Sequence, residues 1–276
     1  MADNNQNKKS AVGHYHPISI VMKQIIRIFD DMGFEVAEGP HIETEYYNFD
    51  ALNIPADHPA RDMWDTFWIK TQINADKNMQ MDADNKTQIN ADKNPHESAL
   101  LLRTHTSPVQ VRYMEKNKPP IQIIAPGKAF RYEATDATHD AQFYQLEGLM
   151  ITNNTTLATL KGVLKEFLEK FFEEKINIRF KPSYFPFVEP GLEVDTTCFK
   201  CAGKDKKCSV CKGSGWVEIM GAGMVHPKVL EISGINSRKW RGFAFGIGID
   251  RLALLKYEIP DIRLFYNGDL RFVNQF

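Results

Sequence analysis

Several clusters of side chains in this sequence are of types that do chemistry. Between Gly127 and Asp140, Arg131 is followed by Glu133, Asp136, His139 and Asp140. An arginine beside a loop of acids and an imidazole suits a polyphosphate, because the guanidinium fork can meet two phosphate oxygens at once. The fragment Gly242-Phe-Ala-Phe-Gly-Ile-Gly-Ile-Asp-Arg251 brings a second arginine to a strand-to-helix turn. The four cysteines, Cys198, Cys201, Cys208 and Cys211, follow the pattern C-x₂-C-x₆-C-x₂-C. Two close pairs without an export signal favour a structural Cys₄ zinc site over disulfides, and four thiolates leave no open position for catalysis. A ribbon that closes without metal, or thiols left reduced, are the plain alternatives. Lys200, Lys204, Lys206, Lys207 and Lys212 make the same loop basic. That patch can touch phosphates, although such charge is more often a solvated face. Phe185 and Phe187 alternate around Pro186. On an extended segment both rings share one face, where they form either an apolar slot or ordinary core.

Elements must hold these groups in place. Apolar residues at Ile18, Val21, Met22, Ile25, Ile26, Phe29 and Met32 keep helical spacing, with Gly33 placed to end the helix. A strand running into a turn is expected over Phe34–Pro40, and a second helix over about Leu157 to Lys175. Short strand-like runs lie near Ile121–Ile124, Ala129–Tyr132 (which includes Arg131), Tyr144–Ile151, Ile176–Phe180, Trp216–Met220 and Phe243–Ile247. Most connections are too short for crossover helices, so the sheet should be antiparallel and the class α+β.

Composition narrows the function classes. The 276 residues are 43% hydrophobic, enough for one large core or two modest ones, and 34 basic residues nearly balance 35 acidic ones. Any nucleic-acid contact must then be a local patch, since the whole-molecule field gives no steering. No stretch approaches the ~20 apolar residues of a membrane span. The polar start lacks the apolar core of a signal peptide, so a cytoplasmic protein is expected. Residues 1–13 read as a disordered tail and residues 14–276 as one domain. Lys70–Asn78 recurs word for word as Lys86–Asn94. A single pair of copies cannot build a solenoid, and its polar composition reads as an exposed insertion over 70–94.

Several long stretches, in order, resemble the α subunit of bacterial phenylalanyl-tRNA synthetase. They are Leu101-Leu-Arg-Thr-His-Thr-Ser-Pro-Val-Gln110, the arginine loop from Gly127 to His139, Ser183-Tyr-Phe-Pro-Phe-Val-Glu-Pro190, Gly242 to Arg251, and Asn267-Gly-Asp-Leu-Arg-Phe-Val-Asn-Gln-Phe276. The resemblance runs from about His16 to the C-terminus, with the 70–94 insertion as its main departure. It implies the class II synthetase fold, an antiparallel sheet flanked by helices, with a small Cys₄ zinc ribbon at 198–215. Family members usually begin with a long helical arm that contacts tRNA, and only a short polar tail precedes His16 here.

The resemblance also implies roles. Arg131 grips the α-phosphate of ATP and Arg251 steadies the far phosphates. Glu133, His139 and Phe143 meet the nucleotide, with adenine on the Phe143 ring. Glu147, Gln145 and Ser107 take the amino group of phenylalanine, His105 orients the substrate, and Trp68 covers that end. Phe185, Phe187, Val188 and Ala244 form the slot for the ring, with Ala244 as its floor. Mg²⁺ bridges the phosphates, with Glu189 a candidate ligand, and zinc is structural. Tyr46–Arg61 belongs to the same resemblance without assigned roles. The partners implied are phenylalanine, tRNA(Phe) and a β subunit in an (αβ)₂ assembly, with no membrane. The alternatives are a class II paralogue that activates another amino acid, and a zinc-ribbon module that binds nucleic acid or protein.

Overall fold

The structure, a computed structural model, describes residues 13–61, 65–69 and 99–276. Residues 1–12 of the expected tail and the whole 70–94 insertion lie outside them.

Seven helices and ten strands order along the described chain. The helices are α1 (Pro17–Asp31), α2 (Glu45–Asn48), α3 (Ser107–Lys116), α4 (Leu157–Phe172), α5 (Pro227–Ile232), α6 (Ile249–Lys256) and α7 (Leu270–Val273). The strands are β1 (Glu35–Val36), β2 (Ile42–Thr44), β3 (Trp68–Ile69), β4 (Leu100–Leu102), β5 (Ile121–Phe130), β6 (Gln142–Thr152), β7 (Ile178–Phe185), β8 (Val188–Thr197), β9 (Trp216–Val225) and β10 (Arg241–Gly248). The large sheet has the order β1-β5-β6-β10-β9-β8-β7, and β2-β4-β3 form a small sheet. Every neighbour in the large sheet is antiparallel except β1, which runs parallel to β5. This is the expected α+β class, an antiparallel sheet flanked by helices.

Local signals set the long helices. At α1, the His16 ring accepts from the Ile18 amide and Pro17 occupies the first turn, where its missing N–H costs nothing. Ile18, Val21, Ile25 and Phe29 fall on one buried stripe, and Gly33 closes the end at φ +82°. Helix α4 starts on a reciprocal Thr156–Thr159 cap and buries Leu160, Leu164, Phe167, Leu168 and Phe171. Complete burial of side chains such as Phe29 and Phe167 contributes roughly 1.5–3 kcal/mol each.

Alternation along the strands then sorts side chains between two faces. On β10, Phe243, Phe245 and Ile247 join the core beneath α1, α4 and α6, so Ala244, Gly246 and Gly248 are left for the opposite face. On β6, Leu146 joins the same core, while Glu147 and Gln145 take the other side with Leu149.

Three expectations change. The runs near Ile121–Ile124 and Ala129–Tyr132 are one strand, β5, which ends at Phe130. Arg131 stands one residue past the strand's end, and its amide still donates to Ala141 O (3.0 Å), the next position in the β5–β6 register. The Phe34–Pro40 strand shrinks to two residues at a sheet edge. Pro186 and Phe187 form the two-residue turn of the β7–β8 hairpin, so Phe185 and Phe187 meet around a turn and not along an extended segment. Strand β8 and helix α3 had no distinct periodic signal. β8 mixes inward apolar residues with Glu193 and Asp195, whose partners lie on the neighbouring strand.

Candidate active site

A cavity of about 1270 Å³ opens beside the large sheet, lined by Glu147 and Ala244 and, toward α6, by Leu254 and Leu255. Arg131 and Arg251, 120 residues apart in sequence, both line it. Arg131 is oriented by its Nε, which donates to Thr104 O at 3.0 Å, and its guanidinium lies 5.0 Å from the Phe143 ring centre. Its Nη1 is 3.9 Å from Glu133, too long for a strong pair, so both terminal nitrogens are available to a ligand. Arg251 projects from the first turn of α6 and donates to Glu218 O at 2.8 Å. The neighbouring Asp250 is buried and accepts from the Tyr144 amide (2.6 Å) and from the Tyr266 hydroxyl. It thereby ties β6 to the helix that carries Arg251. Burial raises its pKa to about 6, against the pull of those donors.

Glu133, His139 and Phe143 line the same cavity. The loop that bears His139 is folded by Asp136, whose Oδ1 accepts from the Thr138 amide (2.6 Å) and the His139 amide (2.8 Å). Those N–H donors hold the Asp136 carboxyl well below its ordinary range.

Deeper in, Glu147 accepts from Gln145 Nε2 at 2.9 Å and from Gln110 Nε2 at 3.4 Å. Burial drives its pKa up to about 8, with Ser107 and the charge of Arg131 pulling the other way. Gln145 Oε1 and both ring nitrogens of His105 are buried without a hydrogen-bond partner. Orphaned buried polar atoms are rare, and this group faces a cavity. Together they offer one ionisable carboxyl and several lone pairs, the complement of an ammonium group. Burial and the nearby Arg131 bring the His105 pKa down to about 3, which keeps its ring neutral.

Beside this polar end, Phe185, Phe187, Val188 and Ala244 close an apolar slot. The two rings stack with centres 6.0 Å apart. Asn53 Nδ2 donates to Pro186 O at 2.7 Å and holds the hairpin tip. The expected residues Ser107, Gln145 and Glu147 are thus brought together with His105 and the slot.

Two expected residues are not. Trp68 does not line the cavity; it packs behind Phe49, with ring centres 6.2 Å apart, and Phe49 makes the lining. Glu189 lies outside as well, 75% exposed and 3.3 Å from His226. Val188 points inward, and the next residue along a strand points to the other face. Asp250, Gln110 and Asn53 were not singled out from the sequence. Asp250 and Gln110 lie within quoted motifs, but nothing in their type announces a buried partner.

The four cysteine sulfurs lie within 4.8 Å of one another, and all four are free. Cys198–Cys208 are 3.8 Å apart and Cys201–Cys211 3.5 Å. A tetrahedral thiolate site at ~2.3 Å from the metal has sulfur–sulfur edges of ~3.8 Å, so the cluster fits a four-coordinate ion. Ala202 (φ +47°) and Lys212 (φ +50°) take left-handed turns just after the second cysteine of each pair. Backbone amides, first that of Asp205, draw the Cys201 thiol down to about 6, while burial pushes Cys198 up to about 11.

Comparison with known proteins identifies the family. Residues 3–276 match the family described as tRNA synthetases class II core domain (F). The chain is 54% identical over 265 residues to the phenylalanine–tRNA ligase alpha subunit of Dehalococcoides mccartyi, covering 96% of this chain and 70% of that protein. It is 52% identical over 269 residues to the alpha subunit of Lachnoclostridium phytofermentans, covering 98% and 71%. Among solved structures, the pyrrolysyl-tRNA synthetase of Desulfitobacterium hafniense superposes with a TM-score of 0.61 at 17% identity, over 91% of this chain and 74% of that one, a likeness of fold alone.

Proposed function

The chain belongs to the class II tRNA synthetase core family, among the phenylalanine–tRNA ligase alpha subunits, and on that premise we propose that its cavity activates L-phenylalanine with ATP and passes it to tRNA(Phe). The observation that carries the reading is that Arg131 and Arg251 line one cavity that also holds an apolar slot and a polar end complementary to an ammonium group.

A carboxylate oxygen of phenylalanine attacks the α-phosphorus, the new carbonyl–O–P bond forms, the bond to the β-phosphate oxygen breaks, and pyrophosphate leaves. The chain's work in that step is positioning and charge neutralisation. Arg131 spans the carboxylate and an α-phosphate oxygen, and Arg251 steadies the outer phosphates. Phe143 stacks adenine, with Glu133 and His139 against the nucleotide. Glu147, Gln145, Ser107 and His105 hold the ammonium, and Phe185, Phe187, Val188 and Ala244 take the ring. A tRNA ribose hydroxyl then attacks the carbonyl carbon and AMP leaves.

Mg²⁺ supplies charge on the phosphates when ATP binds. Among the described residues the four cysteines are the sole group of three or more metal-binding side chains. A hard cation would therefore be held largely by phosphates and water, with Glu133 or Glu218 as carboxylates at hand. The cysteine cluster would hold zinc as a structural ion, its chemistry being thiolate coordination that closes the loop.

A β subunit completes the proposal, in an (αβ)₂ assembly acting in the cytoplasm. Val36 is an exposed apolar side chain in the stretch from Ile18 to Pro40, which resembles the first class II motif, a builder of subunit interfaces. No helix among the described residues is long and apolar enough to cross a membrane. The test is amino-acid-dependent ATP–pyrophosphate exchange, with and without a co-expressed β subunit. Exchange driven by phenylalanine supports the assignment. Exchange driven only by another amino acid, or by none in the assembled complex, overturns it.

A further inference from the structure

The cysteine loop is not remote from the chemistry. Of its five lysines, Lys200 and Lys212 line the cavity, while Lys204, Lys206 and Lys207 do not. Lys200 lies between Cys198 and Cys201, and Lys212 directly follows Cys211, so each sits at one cysteine pair. The two pairs are stitched together by Lys200 Nζ, which donates to Ser209 Oγ at 3.0 Å. Phe199 packs on Phe172 of α4 with ring centres 4.4 Å apart, which fixes the loop to the body of the fold. Strand β9 begins a few residues later, and its Glu218 carbonyl is the group that holds Arg251. The loop and the second arginine therefore share one wall. Glu218 and Glu258 also line the cavity, yet among the described residues neither lysine forms an ion pair. Lys200, Lys212 and Arg251 thus bring three cations to the cavity against the two acids Glu218 and Glu258.

We propose that Lys200 and Lys212 bind the outer phosphates of ATP beside Arg251, and that the four-cysteine cluster serves the active site by holding them there. The inference deepens the adenylating reading and rests on it. The outer phosphates leave as pyrophosphate. An ammonium on a flexible stem suits such a departing anion, whereas the rigid fork of Arg131 suits the atoms that must stay aligned.

The experiment uses the chain co-expressed with its β subunit. Lys200→Gln, Lys212→Gln and the pair are compared with a control carrying Lys204→Gln, Lys206→Gln and Lys207→Gln. ATP binding is measured by calorimetry, KM for ATP and for phenylalanine by pyrophosphate exchange, KM for tRNA by aminoacylation, and metal content by elemental analysis. Loss of one charge-assisted contact weakens binding by about tenfold. The pair should raise Kd and KM for ATP by at least that, with KM for phenylalanine and metal content unchanged and the control like wild type. Lys→Arg at both positions should restore most of the affinity. ATP binding unchanged in the paired variant, or an equal loss in the control, overturns the proposal. So does a rise confined to KM for tRNA, which would assign the lysines to the acceptor strand. Wild-type phenylalanine-dependent exchange separates the two levels: if it is intact while the lysine variants bind ATP normally, only the loop proposal fails.

Discussion

Gly246 stands directly opposite Glu147 across the β6–β10 ladder, and a methyl group on its Cα would lie 2.8 Å from Glu147 Oε1. The carboxyl proposed for the substrate ammonium is seated against a bare backbone. Gly246→Ala would push it out of line with Gln145. The expected result is a rise of about tenfold or more in KM for phenylalanine, equivalent to one misaligned charged hydrogen bond. KM for ATP should move less. Phenylalanine titrations at saturating ATP check this, and an unchanged KM would remove Glu147 from the ammonium site.

Glu147 itself makes binding depend on pH. With a pKa of about 8 in the free chain, it is mostly protonated at pH 7 and must release its proton to pair with an ammonium. Affinity for phenylalanine should therefore improve from pH 6 to 8 and level off above, and Glu147→Gln should be weak and flat over that range. Stability runs the other way. The folded pKa is above the unfolded value of about 4.3, so the folded state holds the proton more tightly. The contribution is fully present below pH ~4.3 and declines as pH rises to about 8. Glu147→Gln should then gain stability over wild type with rising pH, by on the order of 1–3 kcal/mol at pH 8.5. Thermal melts at pH 5.5 and 8.5 would show it, and a constant difference would mean the carboxyl is not shifted.

Much of this was legible in the sequence because it rests on pattern. The stripe Ile18–Val21–Ile25–Phe29 announces α1, and the Gly-x-Gly before Asp250 and Arg251 announces a strand feeding a helix. Arg131 and Arg251 could be paired only through motif resemblance, since nothing local brings residues 120 positions apart together. What stayed hidden depends on register and on turns. Pro186-Phe187 as a hairpin turn, Glu189 on the outer face and Trp68 one layer behind Phe49 follow from pairings that a single sequence does not display. The link between the cysteine loop and the cavity is likewise tertiary.

Ala244 lies on the cavity face of β10, and its methyl group is part of the slot formed by Phe185, Phe187 and Val188. An apolar pocket rejects an isostere with one added hydroxyl by only about 10². Steric closure at Ala244 must supply much of the rest. Ala244→Gly should admit para-substituted phenylalanines in pyrophosphate exchange, at a stability cost of about 1 kcal/mol from the lost methyl group and the freer backbone. An unchanged substrate range would show that the floor lies elsewhere.

The cysteine cluster predicts a metal stoichiometry. Elemental analysis should find one zinc per chain, and Cys198→Ser with Cys208→Ser should abolish it. Structural zinc sites contribute folding energy outright, so the double variant should melt several degrees lower and its loop should become protease-sensitive. A metal-free wild-type chain with the same melting temperature would instead support a loop that closes by packing alone.

Arg131 offers the sharpest test of the chemistry. Its Nε is already committed to Thr104 O at 3.0 Å, which aims the remaining two nitrogens as a fork into the cavity. Lysine would keep the charge but lose both the anchor and the second donor. The side chain is 40% exposed, so the fold should tolerate the change, with melting temperature within a few degrees of wild type. If the fork aligns the attacking carboxylate with the α-phosphate, Arg131→Lys should lower kcat of exchange by about 10²–10³, the range for loss of one transition-state donor. Its effect on KM for ATP should be smaller if, as proposed, Arg251 holds the outer phosphates. A variant that loses only ATP affinity, with kcat preserved, would show that Arg131 merely binds nucleotide and that alignment depends on another group.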